Sequence, residues 1–107
     1  MQLQNVFIHH VYFWLKNPDN VADKTALVTG LKKLSACTNI KQFHIGVPAA
    51  TSREVIDGSY ALSWCLFFAT KQHQDSYQTD PIHLQFIEEC NHLWSKVVVY
   101  DSIDVQE

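Results

Sequence analysis

At 107 residues, with 47% hydrophobic and 12% aromatic side chains but only three Gly and three Pro, the chain has the composition of one globular domain spanning residues 1–107, with a modest core and no disordered tail. A formal net charge of −3, with the basic residues scattered and only Lys32 and Lys33 adjacent, argues against nucleic acid or an anionic membrane as the main partner. No apolar run reaches membrane-spanning length, and the polar start Met1–Asn5 lacks the charged and apolar segments of a signal peptide, so a cytoplasmic location is expected.

Val6 to Leu15 reads as a strand that is apolar on both faces. Phe7, His9, Val11, Phe13 and Leu15 share one face; Val6, Ile8, His10, Tyr12 and Trp14 share the other. Such a pattern calls for burial on both sides. Asn17-Pro18-Asp19 carries the cap and proline signals that open a helix. Its inward stripe is Leu27, Leu31 and Leu34, with Val21 and Val28 flanking, and it ends near Cys37 to Asn39. Lys41 to Val47 alternates as a shorter strand, and Pro48 to Gly58 is a loop of small and polar residues. Tyr60 to Phe68 is again apolar on both faces. Thr70 caps the next helix, which breaks at Asp80-Pro81 and resumes to about Trp94. Lys96 to Val105 is the last strand.

The order βαββαβ implies an α+β fold: a four-stranded antiparallel sheet with the helical segments on one face. Two helical segments cover only one face of such a sheet. The doubly apolar strands leave the other face needing a partner, and a second copy packed face to face is the simplest one. A homodimer is therefore expected. Cys37, Cys65 and Cys90 are odd in number, lie far apart and form no Cys-x-x-Cys. They read as reduced, buried thiols.

The segment Ser76-Tyr77-Gln78-Thr79-Asp80-Pro81-Ile82-His83 carries the strongest functional signal. Pro81 lacks an N–H and cannot continue the preceding helix, but it suits the first position of a new one, with Asp80 as its N-cap. Ile87, Cys90 and Trp94 form the inward stripe of that new helix, and counting back by the helical period brings His83 onto it. Tyr77 leaves one helix and His83 enters the next, both aimed inward. His9 shares a strand face with apolar residues. It fits either a core histidine bonded to a carbonyl or a residue lining a pocket, and the residues alone leave both readings open. His9 and His10 point to opposite faces of a strand, and His83 and His92 lie half a turn out of phase on a helix. No ligand spacing emerges, and neither a metal nor another cofactor is expected.

Three segments carry a resemblance to a known family. Ile8-His9-His10-Val11-Tyr12-Phe13-Trp14-Leu15-Lys16, Gly58-Ser59-Tyr60-Ala61-Leu62 and Tyr77-x-x-Asp80-Pro81-x-His83 resemble, in order and spacing over nearly the whole chain, the stress-responsive dimeric α/β-barrel proteins. The resemblance implies a ferredoxin-like protomer, two of which pack their sheets into an eight-stranded barrel, with a cavity between sheet and helices in each. Within that family the chain is similar to the olivetolic acid cyclase type, which closes linear polyketides by aldol condensation. The resemblance then implies an active site at His9, Tyr77 and His83. Lys16, in place of the lysine that ends the family's first strand, sets the register that selects His9 over His10. Those cyclases carry a histidine where this chain has Asp80, which changes the charge at the pocket mouth.

The chemistry these residues suit is cofactor-free proton transfer beside a carbonyl: a neutral histidine accepts a proton and a buried tyrosine hydroxyl supports a developing enolate. The same groups suit non-catalytic binding of a small apolar molecule, as in a stress-associated protein. The related barrels that bind haem or act as monooxygenases supply a third reading.

Overall fold

A computed structural model describes all residues 1–107. The elements run β1 (Phe7–Leu15), α1 (Val21–Leu34), β2 (Gln42–Gly46), β3 (Leu62–Phe68), α2 (Lys71–Thr79), α3 (Pro81–Cys90), a 3₁₀ turn (Asn91–Leu93) and β4 (Trp94–Ile103). The four strands form one sheet in the order β2-β3-β1-β4, and every neighbouring pair is antiparallel. The α+β, ferredoxin-like βαββαβ plan is the one expected.

Strict alternation fixes the sheet's orientation. In β1 the odd-numbered residues Phe7 to Leu15 are buried and the even-numbered ones are partly exposed; in β3 the even-numbered residues Leu62 to Phe68 are buried. Registers such as Val11↔Trp64 and Val11↔Val99 bring the inward sets of the three strands onto one face. The helices lie against that face, and Leu27, Leu31 and Leu34 of α1 and Phe86 and Cys90 of α3 join the strand residues in one apolar core.

The helix starts follow from local hydrogen bonding. Asn17-Pro18-Asp19 does not begin α1. It forms a turn closed by the Asn20 N–H donating to the Asn17 carbonyl at 3.0 Å, and Asn20 is the cap, its side chain accepting from the Asp23 N–H. Val21, expected to flank the core, is therefore exposed. Thr70 caps α2 as expected. Asp80 ends α2 and caps α3, accepting from the Ile82 N–H at 2.9 Å, with Pro81 in the first turn.

The inward stripe of α3 differs from the expected one. Phe86 and Cys90 are buried, whereas Ile87 is 37% exposed. Trp94 is not on the helix at all, because the 3₁₀ turn ends it and Trp94 opens β4 in extended conformation. Ile82, Phe86 and Cys90, spaced by four, are the residues that meet the core. His83 and Ile87 sit one position further round.

Two packing details stand out. Gly30, buried in α1, allows close approach of α3: a Cβ built there would lie 2.4 Å from Cys90 Sγ. Gln74 of α2 is buried, and its Nε2 has no hydrogen-bond partner. All three cysteines are free; Cys37 and Cys90 are buried, while Cys65 is only partly so. No helix is long and apolar enough to cross a membrane.

Gly in a helix interior normally costs about 1 kcal/mol relative to Ala, so the two contributions at Gly30 can be separated by mutation. Gly30→Ala should destabilise the wild-type chain by about 1–3 kcal/mol through overpacking. In a Cys90→Ala background the same change should become neutral or stabilising, as read by urea denaturation.

Candidate functional site

Between the helical face of the sheet and α3 lies a hollow of about 210 Å³. Val11, Phe13, Phe86, Trp94, Val97 and Val99 supply apolar wall, and His9, Tyr77 and His83 all border it. The three candidate residues from the sequence thus reach one cavity, from β1, the last turn of α2 and the first turn of α3. His83 arrives there because it lies beside the core stripe of α3 rather than on it. The Val97 and Val99 side chains remain substantially exposed, so the hollow opens along the β4 edge of the sheet.

Tyr77 is 2% exposed. Its ring packs 5.2 Å from that of Phe68, 6.0 Å from His9 and 4.6 Å from His83, centroid to centroid. Trp64 Nε1–H donates to the Tyr77 hydroxyl oxygen at 3.3 Å. The hydroxyl's own proton is thereby left to donate elsewhere. Burial pushes the Tyr77 phenol far above its ordinary range, outweighing the opposing effect of the Trp64 N–H. Tyr77 is thus a neutral hydrogen-bond donor at any physiological pH.

His9 is 7% exposed. Its Nδ1 lies 2.5 Å from Asp101 Oδ1. A carboxylate only accepts, so Nδ1 carries the proton and Nε2 keeps its lone pair when the ring is neutral. Asp101 stands directly across from His9 in the β1–β4 ladder, which is why the two side chains meet on the same face. His83 Nδ1 is 3.1 Å from the Gln78 carbonyl, to which it donates, leaving its own Nε2 free. Burial holds the His83 imidazole below its usual value. The Gln78 carbonyl and Asp80 oppose that shift, and proximity to His9 adds to it.

Asp101 and Trp64 were not singled out from the sequence. Trp64 reads as plain core. Asp101 did leave a signal: it occupies the inward phase of β4 with Val97, Val99 and Ile103, where a carboxylate needs a partner. The remaining histidines lie elsewhere. His10 of β1 and His44 of β2 are on the opposite face of the sheet; His73 meets the Thr70 hydroxyl at an exposed helix start, at 2.7 Å; His92 is exposed in the 3₁₀ turn. No three His, Cys, Asp or Glu side chains of the chain converge as metal ligands would.

The family model of the stress-responsive A/B barrel domain matches residues 7–104. No curated protein matches the chain. Several solved structures share its fold. A ferredoxin-like protein of the same family from Mesorhizobium loti is 24% identical, with a TM-score of 0.78 over 96% of this chain and 100% of that one. A hydroxynitrile lyase from Passiflora edulis is 15% identical, with a TM-score of 0.80 over 98% of each chain. A dimeric protein of unknown function from Bacteroides fragilis is 15% identical, with a TM-score of 0.71 over 96% of this chain and 100% of that one.

The lowered His83 value has a consequence for stability. In the unfolded chain this imidazole takes up a proton near its ordinary value of 6.5, before the folded one does. The unfolded state therefore binds more protons in that window, and stability rises with pH there. The His83 contribution should be fully present above about pH 6.5 and lost as pH falls through that value toward the folded one. Thermal melts across this range should show a smaller acid-side loss for His83→Asn than for the wild type.

Proposed function

The chain belongs to the stress-responsive A/B barrel domain family, and we propose that its cavity carries out cofactor-free acid–base chemistry on a small, largely apolar carbonyl compound, of the cyclase or lyase kind. The observation that carries this reading is the coupled set at the cavity wall. Asp101 fixes the His9 tautomer with a free basic Nε2, next to a tyrosine whose hydroxyl proton is not used by the protein. His9 then serves as the general base that removes a proton beside the carbonyl. Tyr77 donates to the oxygen on which charge develops. His83, kept neutral by its surroundings, is the second group able to receive or return a proton. The apolar walls exclude competing water and strengthen each of these interactions. The hydroxynitrile lyase of Passiflora edulis supports the reading as an instance of lyase activity on this fold.

The second reading is binding without turnover, in the manner of a stress-associated protein. The mainly apolar lining of the hollow favours it, because the same surface holds an apolar molecule with one or two oxygens whether or not a proton moves.

We further propose that the working unit is a homodimer formed through the outer face of the sheet. Ile8, His10, Tyr12 and Trp14 of β1 and Cys65 and Phe67 of β3 line that face, and Tyr100 on β4 is 64% exposed. An apolar, aromatic surface of this extent on the two inner strands is costly to leave in water. The Bacteroides fragilis relative, itself dimeric, is consistent with a second copy. Sedimentation at low micromolar concentration should give twice the chain mass. A folded monomer there would overturn the dimer.

Asp101→Asn tests the chemistry with little change of shape. An amide NH₂ facing Nδ1 favours the opposite tautomer and removes the base at Nε2. Turnover on a panel of carbonyl substrates with acidic α-protons should fall by about 10²–10⁴-fold. Tyr77→Phe should cost about 10²-fold or more. It should also lose about 1–2 kcal/mol of stability, because the Trp64 N–H is left unpaired. A cavity that only binds would lose affinity in these variants without any turnover to lose, and calorimetry with the same panel distinguishes the two readings.

A further inference from the structure

The outer face of the sheet is largely apolar and aromatic along β1, with polar residues such as Ser63, Lys96 and Ser102 toward its margins. On this face His10 of β1 and Cys65 of β3 stand directly opposite each other in the ladder, with Cys65 Sγ 3.9 Å from His10 Nδ1. In the order β2-β3-β1-β4 these are the two inner strands. Cys65 is the middle residue of β3 and His10 lies next to the middle of β1. The pair therefore occupies the middle of the face.

A face covered by a second copy of the same chain is covered by a two-fold operation, and residues at the centre of such a patch lie closest to their own symmetry mates. Packed sheets stand about 10 Å apart, a gap that side chains from both sides fill. Burying an imidazole with an unpartnered ring nitrogen there is unfavourable, and a thiol at the edge of hydrogen-bond range satisfies it poorly. Two thiol–imidazole pairs brought together are, by contrast, a complete ligand set. A four-coordinate ion with metal–sulfur bonds near 2.3 Å and metal–nitrogen bonds near 2.0–2.1 Å needs sulfur and nitrogen about 3.6 Å apart, close to the separation already present within one chain.

We propose that two copies of this chain bind one zinc-class divalent ion between their sheets, through Cys65 and His10 of each. The inference rests on the second-copy reading of the outer face. Within one chain the pair supplies two donors. His44 flanks Cys65 from β2, but no third donor of the same chain converges on them, so the site is incomplete without the partner. Thiolate plus imidazole selects borderline and soft ions over magnesium or calcium. On binding, each Cys65 thiol releases its proton to solvent and its sulfur forms the metal bond. The site is remote from the cavity chemistry, on the far side of the sheet, and would lock the interface rather than take part in turnover.

The test uses Co²⁺ as a coloured stand-in for Zn²⁺. The intact chain, freed of metal with a chelator, is titrated with Co²⁺ while absorption is followed. Tetrahedral ligand-field bands with thiolate charge transfer, saturating at one Co²⁺ per two chains and displaced by Zn²⁺, are the expected result. Cys65→Ser and His10→Asn should abolish the bands, whereas Cys37→Ser should leave them intact. Sedimentation in chelator reports the oligomer independently. A dimer that gives no Co²⁺ bands overturns the metal site and leaves the second-copy reading standing. A monomer that gives none overturns both. Saturation at one Co²⁺ per chain, or bands that persist in Cys65→Ser, overturns the shared site.

Discussion

The register of β1 is the constraint on which everything else depends. This strand pairs with β3 on one side and β4 on the other. Side chains alternate with a period of two, so a slip of one residue would send His9 to the outer face and His10 into the cavity. It would also place Tyr12 and Trp14 in the core and leave Val11 and Phe13 outside. The burial of Phe13 and Leu15, at 3% and 5% exposure, makes such a slip expensive: each large apolar side chain exposed costs about 1.5–3 kcal/mol. Hydrophobic pairing thus positions a polar side chain that has no means of positioning itself. His9 meets Asp101 because the aliphatic residues on either side of both have already chosen their faces.

The second constraint is the break at Asp80-Pro81. A continuous helix would turn Tyr77 and His83 about 120° away from each other around its axis, because it has 3.6 residues per turn. The proline interrupts the backbone ladder, and Asp80 satisfies the freed N–H of Ile82. Cys37 Sγ adds a weak contact, 3.5 Å from the other carboxylate oxygen. The turn re-phases the chain, so that a residue before it and a residue after it face each other across 4.6 Å between ring centroids. A local stop signal has become a means of bringing two aromatic polar groups together.

These two constraints also explain what could be read from the sequence and what could not. The strand faces of β1 and β3, the Thr70 and Asp80 caps and the convergence of His9, Tyr77 and His83 all rest on periodicity or on chemistry within a few residues, or on a resemblance that spans them. The phase of α3 is ambiguous in the sequence because Ile87 and Phe86 are adjacent and both apolar. Which of them turns inward is set by where Pro81 starts the helix and by contact with α1, neither of which is local. The helical pattern runs on to Trp94 in the sequence because the 3₁₀ turn of Asn91–Leu93, which ends it, has no strong sequence mark. The start of α1 moved because Asn17 and Asn20 are both good caps and the turn between them decides which one is used. Asp101 and the Trp64 N–H escaped notice because their partners lie 92 and 13 residues away. Only the assembled sheet and its packing against α2 reveal those pairs.

The exposed border of the sheet at β4 ties solubility to the site. Its backbone on the outer side is unpaired, and it carries the run Val97-Val98-Val99-Tyr100, a composition that templates strand addition and fibrillar stacking. Lys96 precedes the run and Asp101 follows it, so a charge bounds it at each end in the manner of gatekeeper residues. The carboxylate that orients His9 is therefore also one of the two charges that discourage this edge from recruiting strands of other molecules. An acidic residue at that position is thus favoured for reasons of colloidal behaviour alone, whatever the cavity does.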